Sequence, residues 1–150
     1  MIGMNSGALL SSSVVASQLS AAAAAGPSEL LTNGSFTTGS DWTLNGGELM
    51  TISGGQLHGP GAVIEDQAYA SQTIAAQTAG TFRFVYTIVS ITVGSVQPRL
   101  DLGTFAGTSR TTAGTYQDDI VVTNGFTEVR LALDQGGDAV IDDASLTKVV

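Results

Sequence analysis

The chain contains no cysteine and little positive charge, and each shortage excludes a class of function. A chain without cysteine forms no disulfide framework, no thiolate zinc site and no cysteine nucleophile. Five basic residues stand against thirteen acidic ones, which gives a net charge of -8. Nucleic-acid-binding proteins need a basic surface, so we expect no nucleic-acid partner. An acidic surface instead serves solubility or matches a basic partner.

Groups that could perform catalysis are equally scarce. The sole histidine is His58, and a lone histidine without a recognisable nucleophile or carboxylate partner is expected to be structural or exposed. Two acidic pairs, Glu65-Asp66 and Asp118-Asp119, are neighbours in sequence. On strands, neighbouring side chains point to opposite faces and form no catalytic dyad. The sequence therefore predicts that the protein is not an enzyme.

Residues 1–28 carry no charged side chain and include seven serines and seven alanines. A segment this polar and small cannot bury enough of its own apolar surface to offset an ordering cost of roughly 1–2 kcal/mol per residue. We therefore predict an extended or partly helical N-terminal arm that binds another chain. Its apolar side chains would make the contact: Ile2, Met4, Leu9, Leu10, Val14, Val15 and Leu19.

The same segment superficially resembles a secretory signal peptide, because Ala8 to Ala25 combines an apolar stretch with a small-residue cleavage pattern. However, no lysine or arginine precedes that stretch, and the first basic residue of the chain is Arg83. Several serines also interrupt any run approaching the ~20 apolar residues that a membrane span requires. We expect an anchoring arm rather than a signal peptide, and no membrane partner.

Gly26-Pro27-Ser28 predicts the boundary between an arm at 1–28 and a domain at 29–150. The whole chain contains nineteen glycines and many threonines and valines, a composition that favours strands and tight turns. In the domain this pattern is clear. About ten short runs of alternating polarity are separated by turn residues, with almost no helical periodicity. This spacing predicts an all-β, antiparallel β-sandwich of the jelly-roll type.

Individual runs predict further details of the sandwich. Short strands are expected at Leu30-Leu31 and at Ala62 to Ile64. The clearest strand is Thr81 to Val93, which places Phe82, Phe84, Tyr86 and Ile88 on one face. Pro98 lacks an amide donor and predicts an edge or a bulge. The phase of the closing strand, Ala139 to Val149, slips at Asp142-Asp143, as a β-bulge would cause.

Three stretches of the domain resemble carbohydrate-binding-module-like jelly rolls. They are the opening Glu29 to Phe36 with Gly39 and Trp42, the pair of runs Gln72 to Ile74 and Ala79 to Phe84, and the closing Ile141 to Leu146. The resemblance covers about residues 29–150 and implies the fold more than the function. Such domains occur in glycosidases, surface proteins and phage structural proteins.

The resemblance also suggests roles for single residues. Trp42 stands where such domains usually have a core tryptophan, so we expect it in the core. Aromatic residues left as candidate glycan contacts are Tyr69, Phe105, Tyr116 and Phe126. Family members often hold a structural calcium ion, for which Asp41, Asp142 and Asp143 are the candidates here. Calcium prefers several carboxylates, and Asn33-Gly34 is followed by no acid, so we expect no metal and no cofactor.

Three functions remain open from the sequence. The uncharged arm favours a virion accessory protein on the capsid exterior, a decoration or cement protein anchored to the major capsid protein or another virion protein. A carbohydrate-binding head-fibre or tail domain is the first alternative, and a secreted or surface β-sandwich module is the second. The partly apolar second face of the clearest strand, at Val85, Val89 and Val93, favours a homo-oligomer, and the jelly-roll resemblance favours a trimer.

Overall fold

Two five-stranded antiparallel sheets lie face to face in a computed structural model that describes residues 26–46, 49–59, 68–133 and 137–149. The predicted all-β antiparallel sandwich is therefore confirmed, and the described residues form ten strands. Most of the arm, the run at Ala62 to Ile64 and the pair Glu65-Asp66 lie outside the described residues. The strands are β1 Thr43–Asn45, β2 Thr51–Ser53, β3 Gln56–His58, β4 Ala68–Gln77, β5 Gly80–Val93, β6 Val96–Leu100, β7 Phe105–Ala106, β8 Gly114–Val122, β9 Phe126–Leu133 and β10 Asp138–Lys148.

The two sheets draw their strands from all parts of the domain. The first sheet has the order β1-β4-β9-β6-β7, and the second has the order β2-β3-β10-β5-β8. Between β6 and β7 the chain makes a single 3-10 turn at Asp101–Gly103. Within the described ranges, no helix is long and apolar enough to cross a membrane.

The core lies between the sheets and follows the period-two pattern of the strands. Phe82, Phe84, Tyr86 and Ile88 on β5 are all buried, as predicted. They meet apolar side chains of the first sheet, and the ring of Phe126 contacts Phe82 edge-on at 4.8 Å between centroids. Each such buried side chain contributes roughly 1.5–3 kcal/mol of transfer free energy. This packing fixes which side of every strand faces outward.

The predicted bulge in β10 is present. Asp142 pairs with Thr87 and Ser145 pairs with Val85, so two residues of β10 oppose one residue of β5 between these pairs. Asp143 adopts a φ of 51°, in the left-handed region that aspartate tolerates. Because of the extra residue, Ile141 before the bulge and Leu146 after it are both fully buried.

Pro98 lies on β6, which is the second strand from one edge of the first sheet. The edge strand beside it, β7, is very short. On one side β6 pairs with β9, and on the other it pairs with the two-residue β7. The carbonyl oxygen of Pro98 accepts a hydrogen bond from Gly107 at 2.9 Å, so the position of its missing N–H faces β7. The interior ladder with β9 therefore loses no donor.

The opening segment forms no strand at Leu30-Leu31, which corrects that expectation; one β-bridge, one backbone hydrogen bond and the side chain of Gln72 hold it in place. Leu30 donates to the carbonyl of Leu146 at 2.8 Å, and a single bridge joins Glu29 to Thr147. The buried amide of Gln72 donates to the carbonyl of Thr32 and accepts from its N–H, both at 2.7 Å. These contacts close one end of the sandwich.

Trp42 is a core residue, as predicted. Its side chain is buried, its ring centroid lies 5.2 Å from that of Phe36, and its Nε1 donates to the carbonyl of Asn33 at 3.0 Å. A buried indole normally satisfies its N–H in this way. Trp42 therefore stabilises the opening loop and offers no ring face to a ligand.

Candidate functional site

The outer face of the first sheet carries the main group of polar side chains that the structure brings together. On β9, Val129, Leu131 and Leu133 are buried, so Glu128 and Arg130 point outward. The same alternation on β4 and β6 turns four more polar side chains outward. We call this set the arginine face: Tyr69 and Ser71 on β4, Gln97 and Arg99 on β6, and Glu128 and Arg130 on β9.

Strand register places the two arginines side by side. Arg130 is the direct partner of Ser71 on one side and of Arg99 on the other. A serine and two arginines therefore form one row across three strands. Directly opposed like charges destabilise a sheet, so this row is unfavourable unless other groups offset the charge.

Arg130 is held by contacts with three groups. Its Nε donates to the carboxylate of Glu128, and its Nη1 donates to the carbonyl of Leu102 at 3.3 Å. The guanidinium carbon lies 4.1 Å from the ring centroid of Tyr69, a cation–π distance. The side chain of Arg130 is only 18% exposed. Its position is therefore fixed, and one face of the Tyr69 ring is covered by it.

Arg99 has a different environment from its neighbour. Its Nε donates to Oε1 of Gln97 at 3.0 Å, and the Gln97 amide in turn donates to the carbonyl of Gly107 at 2.9 Å. In the described part of the chain the ion pairs are Arg83–Asp119, Arg110–Asp118 and Arg130–Glu128. Arg99 belongs to none of them, so its charge is not balanced by a direct acidic partner there.

The turn that follows β6 borders the arginine face. Asp101, Leu102 and Gly103 all have positive φ, at 52°, 54° and 99°. This conformation is uncommon for Asp and is strained for Leu. The side chain of Leu102 is 63% exposed, while its carbonyl accepts the hydrogen bond from Arg130. An exposed apolar side chain and an immobilised guanidinium therefore lie at the same end of the face.

The four aromatic residues predicted as glycan contacts do not share a surface. Tyr69 lies on the arginine face, within β4. Phe105 pairs with Leu100 and packs against the core. Tyr116 faces the interior side of β8, and its hydroxyl contacts Oγ1 of Thr112 at 2.7 Å. Phe126 is 3% exposed, so it is a core residue and offers no ring to a sugar, which corrects that expectation.

Two of the three predicted calcium residues, Asp41 and Asp142, have carboxylates that accept hydrogen bonds from neighbouring groups. Asp41 is exposed, and its carboxylate accepts a hydrogen bond from Ser40 at 3.0 Å. Asp142 accepts from the N–H of Asp143 at 2.8 Å and lies 3.5 Å from the amide nitrogen of Gln56. No group of three or more acidic, histidine or cysteine side chains able to hold a metal occurs in the described ranges.

The paired acids on β8 point to opposite sides of the sheet, as predicted. Asp119 faces outward and binds Arg83 through two hydrogen bonds of 2.8 Å, which lower the pKa of its carboxyl group. Asp118 faces inward and accepts from Arg110 at 3.1 Å and from the N–H of Thr108 at 3.2 Å. The two carboxylates therefore serve separate ion pairs.

The inward acid borders a buried hydroxyl group. Tyr86 is fully buried, and its Oη has no hydrogen-bond partner in the described structure. Burial, followed by the negative charge of Asp118, raises the pKa of Tyr86 above its ordinary value, and the Arg110 guanidinium opposes this.

The sole histidine of the chain, His58, lies on β3, and its Nε2 is 3.2 Å from the carbonyl oxygen of Ser53.

The sequence reasoning missed the three charged residues of the arginine face: Arg99, Glu128 and Arg130. The signal is present in the sequence, because Val129, Leu131 and Leu133 alternate with Glu128 and Arg130, which places the two charged residues on the opposite face of a strand. The pairing of β6 with β9, which brings Arg99 beside Arg130, had no such signal. Pairing of strands distant in sequence depends on the packing of the whole sandwich.

Comparisons with known proteins identify the fold but not a sequence family. No family model matches the chain, and no curated protein matches it significantly. Among solved structures, a carbohydrate binding module of family 29 is similar, with a TM-score of 0.53 and 14% identity over 80% of this chain and 86% of that one. The chain shares its β-sandwich fold with that module.

Variants of a family 29 module in complex with sugars give the same result. One bound to mannohexaose has a TM-score of 0.53 and 14% identity, covering 80% of this chain and 89% of that one. Another bound to cellulohexaose has a TM-score of 0.51 and 14% identity, covering 80% and 88%. The expected carbohydrate-binding-module-like jelly-roll domain is thereby confirmed at the level of the fold.

Proposed function

We propose that residues 29–150 form a non-catalytic glycan-binding module and that the arginine face is its binding surface. The observation that carries the proposal is the row of Ser71, Arg130 and Arg99, flanked by Tyr69 and Glu128 on a half-buried sheet face. The fold supports it, because the similar solved structures are carbohydrate-binding modules and two of them are complexes with hexasaccharides.

The side chains of this face suit the chemistry of a sugar. Sugar rings present hydroxyl groups that donate and accept, and guanidinium, amide and carboxylate groups supply the complementary partners. Tyr69 and the flat guanidinium of Arg130 form a stacked pair, whose edges provide apolar and cationic surface beside the polar groups. A few well-placed polar groups beside apolar surface are typical of ligand sites.

The face is also held in place before a ligand arrives. Arg130 is bound by Glu128 and Leu102, and Arg99 is bound by Gln97, which is itself bound to Gly107. Ordering a flexible side chain on binding costs roughly 0.5–1.5 kcal/mol, and side chains already fixed by hydrogen bonds avoid much of that cost. Rigidity of this kind favours recognition by a network of hydrogen bonds.

Titration of the full-length protein with mannohexaose and cellohexaose, together with a panel of other immobilised polysaccharides, tests the proposal. We expect binding to at least one glycan that is weakened about tenfold or more by Tyr69→Ala, because the variant removes the ring under Arg130. Val121→Ala is the matched control, since Val121 is 65% exposed on the outer face of the other sheet. Equal effects of the two variants would contradict the location of the site.

A second candidate is the virion accessory protein expected from the sequence. The observation in its favour is the uncharged segment at residues 1–28, which could be buried against a capsid or tail protein without desolvating a charge. A trimeric state and a place on the virion surface belong to this candidate. Absence of glycan binding in the titration, together with binding of the full-length protein to isolated capsids, would favour it over the glycan-binding module.

A further inference from the structure

We infer that the arginine face selects glycans that carry carboxylate groups, such as chains of hexuronic acid residues. This inference rests on the proposed glycan-binding function and names the class of sugar. It depends on the placement of positive charge, which is scarce in this chain: four arginines and one lysine in 150 residues. Two of the four arginines, Arg99 and Arg130, are direct neighbours across β6 and β9.

The charge of this pair is only partly offset within the face. Glu128 binds Arg130, whereas no acid lies within ion-pair distance of Arg99 in the described part of the chain. Asp101, in the turn after β6, is the other nearby acid in sequence, and it forms no ion pair with either arginine there. The six residues of the arginine face therefore include two guanidinium groups and one carboxylate, on a protein whose net charge is -8. A bound anion would offset the repulsion between Arg99 and Arg130.

The hydrogen bonds of Arg99 leave a defined edge of its guanidinium for a ligand. Its Nε is used by Gln97, and in the described structure its two Nη atoms donate to no protein group. An added Cβ on Gly103 would lie 3.6 Å from Nη1, so the glycine backbone passes close beside this edge. Two parallel N–H groups of one guanidinium can donate to the two oxygens of a carboxylate at the same time. A neutral hydroxyl group has one oxygen and cannot form this bidentate pair.

Arg130 would act on the ligand mainly as a fixed positive charge, and not as a bidentate hydrogen-bond donor. Its Nε and Nη1 are already used by Glu128 and Leu102, and its side chain is largely buried. A carboxylate bound to Arg99 would lie beside this second cation. Glu128 opposes such an anion, because it places a negative charge on the same face.

Calorimetric titration of the full-length protein with hexagalacturonate and with its fully methyl-esterified form tests the inference. The two ligands share the same sugar chain and differ in charge. We expect the acid to bind at least about tenfold more tightly than the ester, as for one charge-assisted bidentate contact. Arg99→Gln should remove most of this difference, and the acid preference should weaken as salt rises.

Two further variants separate charge recognition from damage to the fold. Arg83→Gln is the matched control, since Arg83 is an arginine on the outer face of the second sheet, and it should leave the acid preference unchanged. Glu128→Gln should increase the affinity for hexagalacturonate by about threefold or more, because it removes the opposing acid. A misfolded protein would not show such a gain.

Several outcomes would overturn the inference, and they differ from failure of the proposed function. Equal affinity for acid and ester would overturn the carboxylate selectivity and leave glycan binding intact. Absence of binding to the acid, the ester and the neutral hexasaccharides would overturn both. Binding of sulfated dextran with the same dependence on Arg99, but no binding of hexagalacturonate, would overturn the assignment of the carboxylate as the recognised group.

Discussion

At the scale of single residues, the hydroxyl group of Tyr86 is an unusual feature of the core. It is fully buried, and in the described structure it lacks a hydrogen-bond partner. A buried polar group that makes no hydrogen bond costs roughly 1–3 kcal/mol. We therefore expect Tyr86→Phe to leave the free energy of unfolding unchanged or to raise it by up to about 1 kcal/mol.

The matched control for that variant is Tyr116→Phe. The hydroxyl of Tyr116 contacts Oγ1 of Thr112 at 2.7 Å and donates to the carbonyl of Thr112 at 2.9 Å. Loss of such bonds should lower the free energy of unfolding by roughly 0.5–1.5 kcal/mol. Urea unfolding of the three proteins compares these values. Destabilisation by Tyr86→Phe as large as that by Tyr116→Phe would show that the Tyr86 hydroxyl has a partner.

The same hydroxyl makes stability depend on alkaline pH. Burial raises the pKa of Tyr86 above the value of about 10 that tyrosine has in an unfolded chain. Below that pH both states keep the proton, and the contribution of Tyr86 to stability is complete. Above it the unfolded chain loses the proton first, so stability falls as the pH rises. The wild-type protein should therefore lose stability more steeply above pH ~10 than Tyr86→Phe.

Residue-scale prediction from the sequence succeeded where local context decides the role. The core position of Trp42 and the opposite directions of Asp118 and Asp119 follow from strand parity and family pattern, and both are confirmed. Phe126 was expected to be available to sugars but is buried against Phe82. Nothing in its own neighbourhood reveals that contact, because β5 and β9 belong to different sheets.

At the scale of elements, the carboxylate of Glu29 joins the opening segment to β10 through hydrogen bonds. Its Oε1 accepts hydrogen bonds from the N–H groups of Leu31 at 2.9 Å and Leu146 at 2.8 Å, and its Oε2 accepts from Ser145 at 2.5 Å. One carboxylate therefore joins two parts of the chain more than 110 residues apart. In the sequence, Glu29 is only the first residue of the opening family pattern, which gives no sign of these contacts.

The variant Glu29→Gln tests whether these hydrogen bonds of the Glu29 carboxylate stabilise the fold. Replacing the carboxylate with an amide removes the charge and one acceptor oxygen, so we expect the free energy of unfolding to fall by roughly 1–3 kcal/mol. Asp143→Asn makes the same change of charge at an exposed position of β10 that asparagine tolerates, and it should change stability by less than about 0.5 kcal/mol. Equal midpoints of urea unfolding for the two variants would contradict the role of Glu29.

The strands themselves were predictable, but their neighbours were not. Period-two alternation located β5, and the phase slip located the bulge at Asp142-Asp143. The alternation cannot say that β10 lies between β3 and β5, or that β6 lies beside β9. Those pairings come from how the two sheets bury their inner faces together, and they create the row of Arg99 and Arg130.

At the scale of the whole molecule, the two outer faces of the sandwich differ in chemistry. The first sheet carries the arginine face, with two neighbouring guanidinium groups and one acid. The outer face of the second sheet carries the balanced pair Arg83–Asp119 and two exposed valines, Val89 and Val121. The surplus of acidic residues therefore does not extend evenly over the molecule, and the first face is the better candidate for an anionic or hydroxyl-rich ligand.

Amide chemical-shift mapping of the isotope-labelled, full-length protein with hexagalacturonate tests the central claim, that glycans bind to the arginine face. Perturbed resonances should cluster on β4, β6 and β9, at Tyr69, Arg99 and Arg130, and should saturate along one binding curve. Resonances of Arg83 and Val121 on the other sheet should not move. Saturable shifts confined to the second sheet, or none on β4, β6 and β9 with a glycan known to bind, would contradict the account.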